Sequence, residues 1–107
     1  MLLTKPKRSY RGPIEITANI LELAKSGSRK TRIMYLGNLS FDLTQKYLRQ
    51  LRESQLIEIK EIDGEKIYKL TPKGDQFLED FYMLQRHTEI VDTKKRSLQG
   101  ALKVRAQ

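Results

Sequence analysis

Apolar residues recur at helical spacing from Pro13 onward. Ile14, Ala18, Leu21 and Ala24 form one stripe, which Ile20 and Leu23 widen. Pro13 suits a first helical position and Gly27 a helix end, so the spacing predicts a helix between them. Ser28 is placed to cap a second, short helix from Arg29 to about Leu36, with Ile33, Met34 and Leu36 as its apolar residues. Gly37-Asn38 signals a turn, and Ser40 is a good cap for a third helix over about 41–54. Phe41, Thr44, Tyr47, Leu48 and Leu51 line one side of that helix. Asp42, Gln45, Lys46, Arg49 and Arg52 occupy the other.

The period then changes. Leu56 to Ile62 alternates toward period two, Asp63-Gly64 is a strong hairpin turn, and Lys66 to Leu70 alternates again. Thr71-Pro72 restarts helix, with the threonine as cap. Phe77, Phe81, Leu84, Thr88, Val91, Lys95, Leu98 and Leu102 then follow alternating four- and three-residue steps, a heptad seam weakened by Thr88 and Lys95. Gly100 predicts fraying beyond it. The expected organisation is a basic flexible arm over 1–12, a compact domain over 13–71, a long dimerisation helix over 72–96, and a basic tail over 97–107 that frays or is disordered. Phe77, Phe81, Leu84, Thr88 and Val91 are the candidate dimer contacts, with Phe77, Phe81 and Leu84 also open to packing on the chain's own first helix.

Charge and composition narrow the chemistry. The 107 residues carry 21 Lys+Arg against 13 Asp+Glu, a formal net charge of +8, which points to a polyanionic partner. With no cysteine, disulfides, thiolate metal sites and thiol nucleophiles are excluded. His87 is the single histidine, and Glu89 two residues on does not face it on a helix. No glycine-rich phosphate loop occurs, so the expected protein is not an enzyme and uses no cofactor or metal. The N-terminus lacks the apolar stretch of a secretory signal, and no run has the apolar length of a membrane span. A soluble, cytoplasmic, nucleoid-associated protein is expected, with no membrane partner and no evident small-molecule ligand.

The order helix, helix, turn, helix, hairpin, helix follows helix-turn-helix logic, in which the second helix of the pair lies in the DNA major groove and the hairpin is a wing. The fold class is α+β, mostly α: a winged helix-turn-helix of three helices and a two-stranded β-hairpin, followed by a long C-terminal helix forming a coiled coil. On the third helix, Gln45 can bond an adenine edge in two places, while Lys46 and Arg49 can reach guanine or phosphate. Arg52 continues that face, and Thr44 turns inward. Arg29, Lys30 and Arg32 at the start of the second helix suit phosphates, and in the wing Lys60, Lys66 and Lys69 are candidates. Glu58, Glu61, Asp63 and Glu65 share the wing and argue against its deep insertion. Arg11, with Lys5, Lys7 and Arg8, makes the arm a candidate minor-groove ligand.

The stretch from Arg11 to about Phe81 resembles archaeal winged-helix DNA-binding proteins that dimerise through a C-terminal antiparallel coiled coil. The resemblance is carried by Arg11-Gly12-Pro13-Ile14-Glu15-Ile16, Lys30-Thr31-Arg32-Ile33-Met34-Tyr35, Asn38-Leu39-Ser40-Phe41, Lys46-Tyr47-Leu48, Leu56-Ile57 and Leu70-Thr71-Pro72-Lys73-Gly74. It implies a homodimer with winged domains at the ends of a helical rod, and a role in transcription control or chromosome organisation. It also implies that Gln45, Lys46 and Arg49 face DNA. Leu43-Thr44 and Ser54-Gln55 depart from the family pattern, the former where a polar residue precedes leucine and the latter where glycine is usual. A winged domain that instead docks proteins within a larger complex is the alternative, since fold does not fix function. A ligand-responsive repressor and an RNA binder are further readings. The first meets no effector pocket in the pattern, and the second has no aromatic stacking platform.

Overall fold

A computed structural model describes residues 11–106; of residues 102–106 it gives the helical backbone. The elements are α1 (Pro13–Ala24), α2 (Lys30–Leu36), α3 (Phe41–Glu53), the antiparallel pair β1 (Ile57–Ile62) and β2 (Glu65–Leu70), and α4 (Pro72–Ala106). This is a mostly helical winged helix with a long C-terminal helix. The expected arm lies largely outside the described residues, Lys5, Lys7 and Arg8 included.

Local chemistry sets each boundary. Pro13 opens α1, and Glu15 accepts a hydrogen bond from the Gly12 amide at 3.1 Å. Ser40 caps α3 by accepting from the Leu43 amide at 3.1 Å. The turn between α2 and α3 needs its own residues. Gly37 lets the chain pass so close to α2 that an added Cβ would sit 2.5 Å from the Ile33 carbonyl oxygen, and Asn38 takes φ 56°. In the wing, Asp63 and Gly64 both have positive φ, 53° and 76°, as a primed hairpin turn requires. This turn fixes the register Ile57↔Leu70 through Ile62↔Glu65.

Ser28 departs from the expected capping role. Arg29 is the N-cap of α2 and makes no side-chain cap bond. Ser28 instead forms a β-bridge with Tyr68, its amide donating to the Tyr68 carbonyl at 3.0 Å and its carbonyl accepting at 2.7 Å. The Ser28 hydroxyl donates to the Leu23 carbonyl at 2.5 Å. A backbone pairing to a residue forty positions away thus outweighs a local cap.

The core lies where α1, α2, α3, β2 and the start of α4 meet. Ile20, Leu21, Ile33 and Leu78 are its largest fully buried apolar side chains. Thr44 is buried among them and satisfies its hydroxyl on the Ser40 carbonyl at 2.8 Å. Ile14 and Phe41, both expected on core stripes, are exposed, because each lies in the first turn of its helix at the rim of the core. The helix α4 runs on to Ala106, past the expected end at residue 96. Gly100 costs a helix about 1 kcal/mol relative to alanine, and it stands among good helix formers such as Leu98, Gln99 and Ala101.

Only the start of α4 belongs to the domain. Leu78 is 1% exposed, while Phe77, Phe81 and Tyr82 pack partly buried against the same core. The Tyr82 hydroxyl donates to Glu22 of α1, which also pairs with Lys25 at 3.3 Å. That hydrogen bond holds the Glu22 carboxyl below its usual range and pushes the Tyr82 phenol up to about 12. Among the described residues, no helix is long and apolar enough to cross a membrane.

Candidate nucleic-acid interface

The helix α3 is pinned from one side and open on the other. Thr44, Tyr47, Leu48 and Leu51 are buried against the core, at the three- and four-residue spacing of one helix face. The opposite face carries Lys46, Arg49 and Arg52, all exposed, with Gln45 half-buried at its edge. Among the described residues none of the three cations forms a side-chain hydrogen bond or ion pair. Gln45, Arg49 and Arg52 also line a shallow groove between α3 and Tyr68 of β2. The structure therefore brings together the four residues expected on the outward face of α3, on one rigid surface.

Most of the other expected ligands are held by the protein itself. Arg29 forms an ion pair with Glu65 of β2 at 2.7 Å, tying the start of α2 to the wing. The Arg32 guanidinium donates to the Ser28 hydroxyl at 2.6 Å. The Lys30 ammonium donates to Gln45 Oε1 and lies 5.1 Å from the centre of the Phe41 ring. Arg11, expected in a mobile arm, donates to the Gly37 carbonyl at 2.9 Å and reaches the Asn38 carbonyl at 3.5 Å. It satisfies the carbonyl end of α2, a favourable place for a cation, and so braces the turn. Lys66 is exposed near the wing tip, among Glu61, Asp63 and Glu65. Lys60 pairs loosely with Glu58 at 4.0 Å, so the wing is close to neutral while the face of α3 is basic.

The candidate dimer contacts divide. Phe77 and Phe81 pack against the domain core, while Leu84 and Val91 are 58% and 41% exposed and Thr88 is exposed and polar. Met83, Ile90 and Leu98, which the heptad seam either omits or places late, are exposed as well. At 100° per residue the apolar set 83, 84, 90, 91 and 98 is centred roughly 140° around the axis from the core-packing set 74, 77, 78, 81 and 82. The helix thus has two apolar faces in succession. The seven-residue spacing of Met83 and Ile90 is the sequence signal that would have found the second. Phe41 is likewise a residue that sequence reasoning assigned to the core and the structure leaves 56% exposed, under Lys30.

Solved structures share this architecture. Sso10a-2, a DNA-binding protein from Sulfolobus solfataricus, is similar at 28% identity with a TM-score of 0.73, covering 86% of this chain and 97% of that one. MepR, a transcription regulator of the Staphylococcus aureus multidrug efflux pump MepA, is similar at 15% identity and TM-score 0.68, over 86% of this chain and 70% of that one. MepR in its complex with DNA matches at 20% identity and TM-score 0.63, over 95% and 86%. The two MepR likenesses speak for the fold alone. No curated protein matched in sequence. A family model described as winged helix-turn-helix matches residues 10–89, and the chain belongs to that family.

Proposed function

We propose that this chain binds double-stranded DNA as a homodimer, with α3 in the major groove, and acts as a transcriptional regulator or chromosome-associated protein. The observation that carries the reading is the outward face of α3, where Lys46, Arg49 and Arg52 stand exposed beside Gln45 on a helix fixed by four buried residues. A major groove about 12 Å wide admits one such helix. Lys66 supplies a phosphate contact from the wing, and Arg29, Lys30, Arg32 and Arg11 act mainly by holding α2, the turn and the wing in place. The DNA-binding description of the similar Sulfolobus protein supports the same reading.

The homodimer rests on α4. Its 35 residues span roughly 52 Å, and Met83, Leu84, Ile90, Val91 and Leu98 are exposed along the part that leaves the domain. Charge gives the pairing a direction. Before residue 93 the helix carries Asp75, Glu79, Asp80, Glu89 and Asp92 against Lys73 and Arg86, whereas Lys94, Lys95, Arg96, Lys103 and Arg105 follow it with no acidic residue among them. An antiparallel partner sets each basic end against an acidic one, and a parallel partner stacks like charges.

Titration of a mixed-sequence duplex at about 50 and 200 mM salt tests DNA binding. Neutralising 6–10 phosphates predicts a loss of roughly a thousandfold or more between those conditions, and no binding at the lower salt overturns the reading. Light scattering should give twice the chain mass, reduced to one chain by Leu84→Asp with Val91→Asp. One observation favours a second reading, a protein-docking winged domain: Tyr35, Leu36 and Phe41 are exposed around the turn. A partner retained after nuclease treatment and lost on Tyr35→Ala would support it.

A further inference from the structure

Lys30 is the first residue of α2, yet its ammonium reaches across to α3. Phe41 and Gln45 stand four residues apart on α3 and so share a face. The ammonium lies over the Phe41 ring and donates to the Gln45 side chain. Two independent contacts therefore fix it. Lysine has donors only, so the amide atom that meets it must be the oxygen. The Gln45 amide nitrogen is then turned away from Lys30, with no hydrogen-bond partner among the described residues.

This changes what Gln45 can read. A free glutamine recognises adenine by accepting from N6 and donating to N7, which needs both ends of the amide. Here the oxygen is occupied, and its remaining lone pair lies beside a cation that repels the hydrogens of an adenine amino group. What remains is a donor. Guanine offers two acceptors, N7 and O6, on the same major-groove edge.

We propose that Lys30 is a specificity-determining positioning residue: by holding the carbonyl oxygen of Gln45 it makes α3 select guanine over adenine at the base Gln45 meets. The inference rests on α3 entering the major groove. It also separates Lys30 from a phosphate ligand, whose loss weakens all sequences alike and lowers the salt dependence by about one counterion.

Selection of bound duplexes from a randomised pool, with the full chain and its variants, tests this. The wild-type chain should enrich guanine over adenine at one position in each half-site. Lys30→Met keeps a chain of similar length over Phe41 but frees the amide. It should shift that position toward adenine by roughly tenfold, with overall affinity and salt dependence close to wild type. Gln45→Ala should erase the preference at the same position. Lys30→Leu, which likewise has no donor, serves as the second variant if circular dichroism shows that Lys30→Met is unfolded. Enrichment of adenine by the wild type, or no preference at any position, overturns the proposal. So does a Lys30→Met chain that keeps the guanine preference while binding every sequence more weakly. Absence of binding at low salt would instead overturn the DNA-binding reading on which it rests.

Discussion

The cations of α2 and those of α3 are alike in sequence and unlike in the fold. Arg29, Lys30 and Arg32 sit at the start of one helix, while Lys46, Arg49 and Arg52 lie along the outer face of the next. Each of the first three is bonded within the protein: Arg29 to the wing, Lys30 to α3, and Arg32 to the serine that bridges to β2. The second three project from the side of α3 opposite the core. The helix-turn-helix unit therefore uses one set of cations as joints and the other as its outward surface. A basic residue near a presumed interface is informative only once its neighbours are known.

Three experiments probe that division. The largest effect is expected from Lys46→Ala with Arg49→Ala, which should cut duplex affinity by tenfold or more, about 1–3 kcal/mol for a base-reading arginine. Thermal unfolding should stay near wild type, since both side chains are exposed. Arg32→Ala should do the reverse. It removes the guanidinium bond to Ser28 and should cost about 1 kcal/mol of stability in denaturant unfolding, with duplex affinity changed less than twofold. If affinity falls and stability does not, Arg32 belongs with the α3 set. Arg29→Ala is expected to do least. Its pair with Glu65 is more than half exposed on the arginine side, so a double-mutant cycle with Glu65→Ala should return about 0.2–1 kcal/mol, shrinking as salt rises.

Local signals in the sequence predicted most of the elements. Ser40, the Asp63-Gly64 turn and Thr71-Pro72 each work through atoms a few residues away, and each holds in the structure. The α3 face was legible for the same reason: helical period separates Thr44, Tyr47, Leu48 and Leu51 from Lys46, Arg49 and Arg52. Pairings that close over long sequence distances were not legible. Ser28 meets Tyr68, Arg11 meets the turn at Gly37, and Lys30 meets Gln45. Nothing in the spacing around Ser28 distinguishes a bridge from a cap.

The long helix shows a different limit. One heptad pattern runs from Phe77 to Leu102, but an α-helix turns by 3.6 residues and drifts about 20° per heptad from it. Folding assigns the first part to the domain through Leu78, off the seam, and leaves Met83 and Ile90 exposed beside Leu84 and Val91. Which part packs at home depends on where α4 meets α1 and β2, which periodicity alone does not contain.

The proposed function stands on α3 being the surface that meets DNA. Amide chemical shifts of the isotope-labelled chain, followed while a short duplex is added at low salt, test it most directly. The largest changes should fall on α3 between Gln45 and Arg52, with smaller ones in the wing around Lys66 and little along α4 beyond Leu84. Changes concentrated elsewhere, with the amides of α3 unmoved, would contradict it.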